Sequence, residues 1–393
     1  MRSLREKLKA VSSAPPSARQ TVRREQPDPF YVREHRVPID RLCGIERTTL
    51  EEIRACDPNF SGKRWDVHHL LFLDTETTGL SGGAGTVAFE IGVGYIEGSA
   101  MVIRQYVMRD YCEEAAMLSA IAELISRYDI LVTFNGKTFD IPLLESRLIM
   151  QRIRLPLSDM PHLDLLHACR RVYKLRLKRC NLTSLEAAVL GEMREDDLPG
   201  AMVPQRYFDY LKTREFSLLE DVLEHNLQDV QSLASLTGHL CAVFRAPLQL
   251  AHAEDLFSVG RTLERRGDIH RARACYRILG HSSMSSQAHM HLAASYKKEK
   301  DWEEALDSWM TMIAQGEGGS WPYIETAKYY EHVNRDIAKA LHYAKAALSC
   351  ELNQRLYCDS VQDERLDALR RRIKRLMQKQ RMACGNAFEE DER

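Results

Sequence analysis

The chain has 393 residues, 44% hydrophobic and 28% charged, an ordinary soluble-protein composition with length for two or three domains. Lys and Arg nearly balance Asp and Glu, so the net charge of −1 offers no global attraction to nucleic acid, and any such attraction must be local. Ten cysteines without a CxxC pair or a Cys/His cluster argue against a zinc site and for reduced thiols in a cytoplasmic protein, and no apolar run is long enough to cross a bilayer.

Residues 1–30 are basic, Ser/Pro-bearing and poor in apolar positions, which predicts a mobile arm without a secretory signal. Residues 31–68 carry scattered apolar and aromatic positions, from Tyr31 to Trp65, and are expected to pack on the domain that follows. From His69 the pattern sharpens. Leu70–Leu73 reads as a buried strand, and Asp74 and Glu76 follow it at its exposed end or just beyond. The period of two puts both carboxylates on one side, although an Asp-x-Glu pair also arises by chance as a strand cap. Thr77, Thr78 and Gly79 allow the chain to turn close to a substrate, with Thr77 a candidate contact.

The Gly-rich segment 81–86 lacks a Gly-Lys-Ser/Thr ending, so it reads as a hairpin turn and not a phosphate loop. Strands over Val87–Ile96 and Met101–Met108 complete a meander. A helix over Glu113–Tyr128 and a strand over Ile130–Phe134 follow. Asn135-Gly136 then turns the chain, with Asn135 either fixing the turn or touching substrate. Phe139-Asp140 opens a helix running to about Arg152, where Asp140 is either a simple helix cap or a carboxylate delivered to a strand-end site. Asp164 reads as structural, starting a helix or strand. Residues 160–240 read as mostly helical, with Asp221–Leu240 the strongest helix. His225 and Asp229 stand i,i+4 on it and so share one face, which is either a solvated surface or the third part of a site.

Beyond Ala251 a repeat begins. The small residue of the second helix recurs at positions 272, 305 and 340, close to a tetratricopeptide period of about 34. The copies run from Gly260 to Tyr276, Ala293 to Trp309 and Ala327 to Ala344, and the third needs a one-residue insertion between its helices. Stacked helix pairs over 251–350 leave a concave surface suited to a protein partner. In residues 351–393, Leu366, Leu369, Ile373 and Leu376 form an apolar stripe among arginines. That stripe is expected to cap the array and leave a disordered acidic tail at Glu389–Glu392.

The acidic signatures, in this order and context, make residues 70–240 resemble the DEDD superfamily of 3′–5′ exonucleases on the RNase H-like fold. Asp74 and Glu76 match its first motif, Asp140 after Asn-Gly and Phe its second, and Asp229 its third. The whole layout is similar to the bacterial YprB-type proteins, with an α/β RNase H-like domain over 69–245 followed by an all-α tetratricopeptide-like domain. One departure is that His225 stands four residues before Asp229 and is followed by Asn226, the spacing of the tyrosine-bearing members. The resemblance implies two-metal phosphodiester hydrolysis of a DNA or RNA 3′ end. Asp74, Glu76, Asp140 and Asp229 would hold two Mg²⁺ or Mn²⁺ ions, and His225 would guide the proton of the attacking water. The alternative is a nucleic-acid-binding scaffold with a weakly active nuclease-like domain and repeat-mediated protein binding. In both cases no membrane partner is expected.

Overall fold

Three all-buried strand segments, Leu70–Leu73, Phe89–Val93 and Ile130–Val132, demand cover on both faces of a sheet, and the computed structural model supplies it. It describes residues 28–79, 85–194, 197–355 and 363–390. Strands β1 (Tyr31–Pro38), β2 (Leu70–Thr77), β3 (Ala88–Glu97), β4 (Ala100–Val107), β5 (Ile130–Thr133) and β6 (His162–Asp164) form one six-stranded sheet in the order β1-β4-β3-β2-β5-β6. β1 to β3 run antiparallel to their neighbours through β4, whereas β5 and β6 continue parallel to β2. This is the RNase H-like α/β arrangement the strand order predicts.

Several boundaries differ from the sequence reading. The strand β2 does not stop at Leu73 but continues through Thr77, because Asp74–Glu76 stay paired with β3. Residues 31–38, which show period-two alternation of burial, join the sheet as its edge strand instead of merely packing on it. Within 160–240 the short strand β6 breaks the expected helical run. Residues 1–27 of the expected arm and most of the Gly-rich turn, at 81–84, lie outside the described residues.

Helices cover both faces. On one, α1 (Leu50–Cys56), α4 (Leu165–Tyr173), α5 (Leu182–Leu185) and the long α7 (Glu220–Arg245) pack on Leu70, Phe72, Ile103 and Val132. On the other, α2 (Glu114–Ile125), α3 (Asp140–Met150) and α6 (Val203–Thr213) pack on Leu71, Leu73 and Leu131. The first core continues without a break into the helical region through Leu256, Tyr276, Ala293 and Trp309.

That region is a series of antiparallel helix pairs: α8 (Ala253–Arg265) with α9 (Ile269–Ile278), α10 (Ser285–Glu299) with α11 (Trp302–Gln315), and α12 (Trp321–Tyr329) with α13 (Ile337–Arg355). Each pair turns through a left-handed residue, Gly267, Lys300 and Arg335, followed by an Asp whose carboxylate accepts a backbone N–H three residues on. The third turn falls at Arg335, after a π-helical turn over Tyr330–Asn334 that absorbs the extra residue. Helix α14 (Asp363–Glu390) buries Leu366, Leu369 and Leu376, as a capping helix should. It runs through Glu389 and Glu390, so the acidic end begins as helix; residues 391–393 lie outside the described residues.

Among the described residues, no helix is long and apolar enough to cross a membrane.

Candidate metal centre

Even-numbered residues of β2 face α7, so Asp74 and Glu76 project from the same face as Leu70 and Phe72. Opposite them on β3 stand Gly92 and Glu90. Asn226 of α7 fills the space above Gly92, where an added Cβ would lie 2.0 Å from its Oδ1. From there its Nδ2 donates to Asp74 Oδ2 at 2.9 Å. Gln105 on β4, paired with Gly92, donates to Glu90 Oε1 at 2.9 Å and to the Leu223 carbonyl at 2.6 Å, which fixes the start of this stretch of α7 against the sheet.

Asp140 arrives from the opposite helical layer. Thr75, whose side chain points to that face, donates its hydroxyl to Asp140 Oδ1 at 2.5 Å. The carboxylate at the first turn of α3 is thereby tied to the strand that carries Asp74 and Glu76. The i,i+4 pair on α7 completes the set. His225 Nε2 lies 3.9 Å from Glu76 Oε1 and 3.7 Å from Asp229 Oδ2. Glu76, His225 and Asp229 each offer one ligand atom, all within 4.8 Å of one another.

Burial first, and then mutual repulsion, set the electrostatics. Asp74 is held well above the usual carboxylate range by desolvation, reinforced by Asp229, Asp140 and Glu76. Glu76 is raised by burial and by Glu90, Asp229 and Asp140. Asp140 is pushed up to about 6 by burial, against the hydrogen bond from Thr75. Asp229 is also raised by burial, although His225 and Arg194 oppose the shift. Arg194 bonds both oxygens of Glu186 at 2.6 Å and donates to Asp229 Oδ1. It leaves Asp74 and Asp140 without a basic partner in hydrogen-bond contact among the described residues. The donor set, carboxylate oxygens partly shielded from water and with excess negative charge, therefore fits hard divalent cations.

The other sequence candidates take local roles. The Thr77 hydroxyl donates to the Gly79 carbonyl at 2.7 Å, just past the register shift between Glu76 and Thr77, where Thr77 makes the last pair of the ladder, with Ala88. Asn135 adopts a left-handed φ of 67°, and its N–H donates to Asp164 Oδ1 at 2.8 Å. Asp164 also accepts from Lys137 N and caps α4 through Leu166 N, which is the structural duty its position predicted.

Sequence reasoning missed four contributors. Glu90 was visible as a lone charge in an apolar strand. Gln105, Arg194 and Asp197 had no local signal, because each acts on residues distant in the chain. Asp197 Oδ1 lies 2.7 Å from His225 Nδ1.

Comparison with known proteins follows the same division of the chain. A family model described as RNase_H superfamily matches residues 71–241. The uncharacterized protein YprB of Bacillus subtilis (strain 168) is 33% identical over 337 residues, covering 81% of this chain and 80% of YprB. Among solved structures, the family B DNA polymerase of the hyperthermophilic archaeon Pyrobaculum calidifontis aligns at 15% identity with a TM-score of 0.35. That match covers 52% of this chain and 30% of the polymerase.

Proposed function

We propose that this chain, which belongs to the RNase H-like family that includes YprB of Bacillus subtilis, is a metal-dependent 3′–5′ exonuclease acting on DNA or RNA. One observation carries the reading. Carboxylates from both helical layers and from β2 converge at the C-terminal end of that strand, largely but not fully removed from water and mutually repelling, with the imidazole of His225 beside them. Such an arrangement is costly without cations and is a recurrent property of functional sites.

Asp74, Glu76, Asp140 and Asp229 would hold two Mg²⁺ or Mn²⁺ ions, which when bound supply charge neutralisation and Lewis acidity at the scissile phosphate. The chain's own residues do the rest. His225 accepts a proton from water at Nε2, and the resulting hydroxide attacks the terminal phosphorus. The P–O3′ bond breaks, and the departing 3′-oxygen takes up a proton from solvent. Beyond their local bonds, Thr77 at the end of β2 and Asn135 on the turn after β5 are read as contacts to the terminal nucleotide. The nuclease unit is taken as residues 69–245. The helix pairs over 251–350 are read as tetratricopeptide-like repeats that recruit a protein partner or hold substrate, a reading supported by the recurring Asp caps at 268, 301 and 336.

A second reading, a nucleic-acid-binding scaffold with weak turnover, is favoured by Arg194, which already neutralises Asp229. One experiment separates the two. The purified chain and an Asp74→Ala/Glu76→Ala variant are compared on 3′- and 5′-labelled single- and double-stranded DNA and RNA, with Mg²⁺, Mn²⁺ or EDTA. Metal-dependent shortening from the 3′ end, lost in the variant, is expected. Binding without cleavage by both proteins overturns the enzyme and leaves the scaffold.

A further inference from the structure

We infer that Asp197 is the positioning residue that sets the imidazole of His225, holding its proton on Nδ1 and leaving Nε2 bare toward the gap between Glu76 and Asp229. This rests on the nuclease reading for its catalytic meaning, but the orientation itself stands on geometry.

The imidazole sits on α7, and Asp197 lies on the connection between α5 and α6, 28 residues earlier. Nδ1 has two neighbours of opposite character. The Asp197 carboxylate, an acceptor only, places Oδ1 at 2.7 Å, and the Arg194 guanidinium, which only donates, is at 3.2 Å. The shorter contact decides, because a neutral ring carries one proton and a carboxylate acceptor requires it on Nδ1. Arg194 is free to serve elsewhere. Its Nη1 donates to Asp197 Oδ2 at 3.3 Å, and its other bonds go to Glu186 and Asp229. The guanidinium thus pins the carboxylate that pins the ring.

The consequence lies at the other nitrogen. Nε2 is 3.9 Å from Glu76 Oε1 and 3.7 Å from Asp229 Oδ2, both beyond direct hydrogen-bond reach. A bare Nε2 at that spacing can take a proton from a water lying between it and the carboxylates. With the proton on Nε2 the same ring would present a donor there and lose the base. A carboxylate that fixes tautomer and ring plane is the role of the acidic member of a Ser-His-Asp triad.

The test uses the full chain, with Asp197→Asn, Asp197→Glu and His225→Gln variants. Long-range ¹H–¹⁵N spectra of ring-labelled, metal-free protein report the tautomer, the His225→Gln variant assigning the signal. Mn²⁺ titration reports ligand integrity, and single-turnover cleavage reports the chemistry. The native ring is expected as the Nδ1–H tautomer, switching to Nε2–H in Asp197→Asn. Cleavage in that variant falls by roughly 10²–10⁴-fold with Mn²⁺ affinity unchanged, and Asp197→Glu restores part of it. A native Nε2–H tautomer, or an Asp197→Asn variant with native cleavage, overturns the inference. A native Nδ1–H ring in a chain that cleaves nothing supports the orientation and defeats the nuclease reading, so the two failures are distinct.

Discussion

Gly92 and Asn226 occupy one another's space: the side chain of Asn226 fills the volume a Cβ at position 92 would take, 2.0 Å from its Oδ1. The exchange exists because Asn226 must descend onto the sheet to reach Asp74, the residue paired with Gly92. The Gly92→Ala variant is expected to push Asn226 away, with overpacking costing about 1–3 kcal/mol. Mn²⁺ affinity should fall by roughly 10–100-fold, as for other losses of a ligand-orienting partner. Chemical denaturation and titration calorimetry check both, and native Mn²⁺ affinity in a folded Gly92→Ala protein would sink the assignment.

The partly buried, mutually repelling carboxylates make the metal-free site a source of instability. An Asp74→Asn/Glu76→Gln variant keeps shape while removing two of the repelling charges. Its thermal midpoint without metal should rise above that of the native chain. Cleavage should drop by more than the roughly 100-fold typical of losing an outer partner. A lower metal-free midpoint would mean that the charges are already compensated.

Acidity has a definite sign here. Asp140, raised to about 6, binds more protons folded than unfolded, and Asp74, Glu76 and Asp229 shift in the same direction. Stability of the metal-free chain from these groups is therefore present at low pH. For Asp140 it is lost as pH rises from its unfolded value near ~4 to about 6, on the order of 3 kcal/mol at most. Divalent ions compete with those same protons, so saturating Mn²⁺ should raise the melting temperature more at about pH 8 than at about pH 5. Differential scanning fluorimetry decides it, and equal Mn²⁺ shifts at the two pH values would count against a carboxylate site.

In the helical region, Glu331 is buried on the π-helical turn and meets Arg372 at 2.8 Å, Arg375 at 2.9 Å and Lys379 at 2.9 Å, all from α14. Burial works against its charge, and the basic residues of α14 win, lowering its pKa. Because Arg375 and Lys379 are about half exposed, Glu331→Ala is expected to cost less than the 3–5 kcal/mol of a fully buried pair, roughly 1–3 kcal/mol. Limited proteolysis should then degrade α14 earlier than in the native chain. Native resistance would show that the apolar stripe alone docks the helix.

Local periodicity made much of this chain legible. The apolar run Leu70–Leu73 announced a covered strand, the period of two put Asp74 and Glu76 on one face, and the i,i+4 spacing put His225 and Asp229 on another. The spacing of Ala272, Ala305 and Ala340 revealed the helix pairs and even the extra residue of the third. These readings succeed because backbone geometry fixes which side chains share a face within a few residues.

What the sequence left open is what distance in the chain hides. It could not tell that β2 stays paired through Glu76, that residues 31–38 close the sheet edge, or that the π-helical turn carries a buried glutamate. Nor could it pair Asn226 with Asp74 across 152 residues, Thr75 with Asp140 across 65, or Asp197 with His225 across 28. The sequence by itself determined the residue types and the local faces they share. Only the tertiary structure decided which faces meet, because that depends on packing two helical layers against one sheet at once.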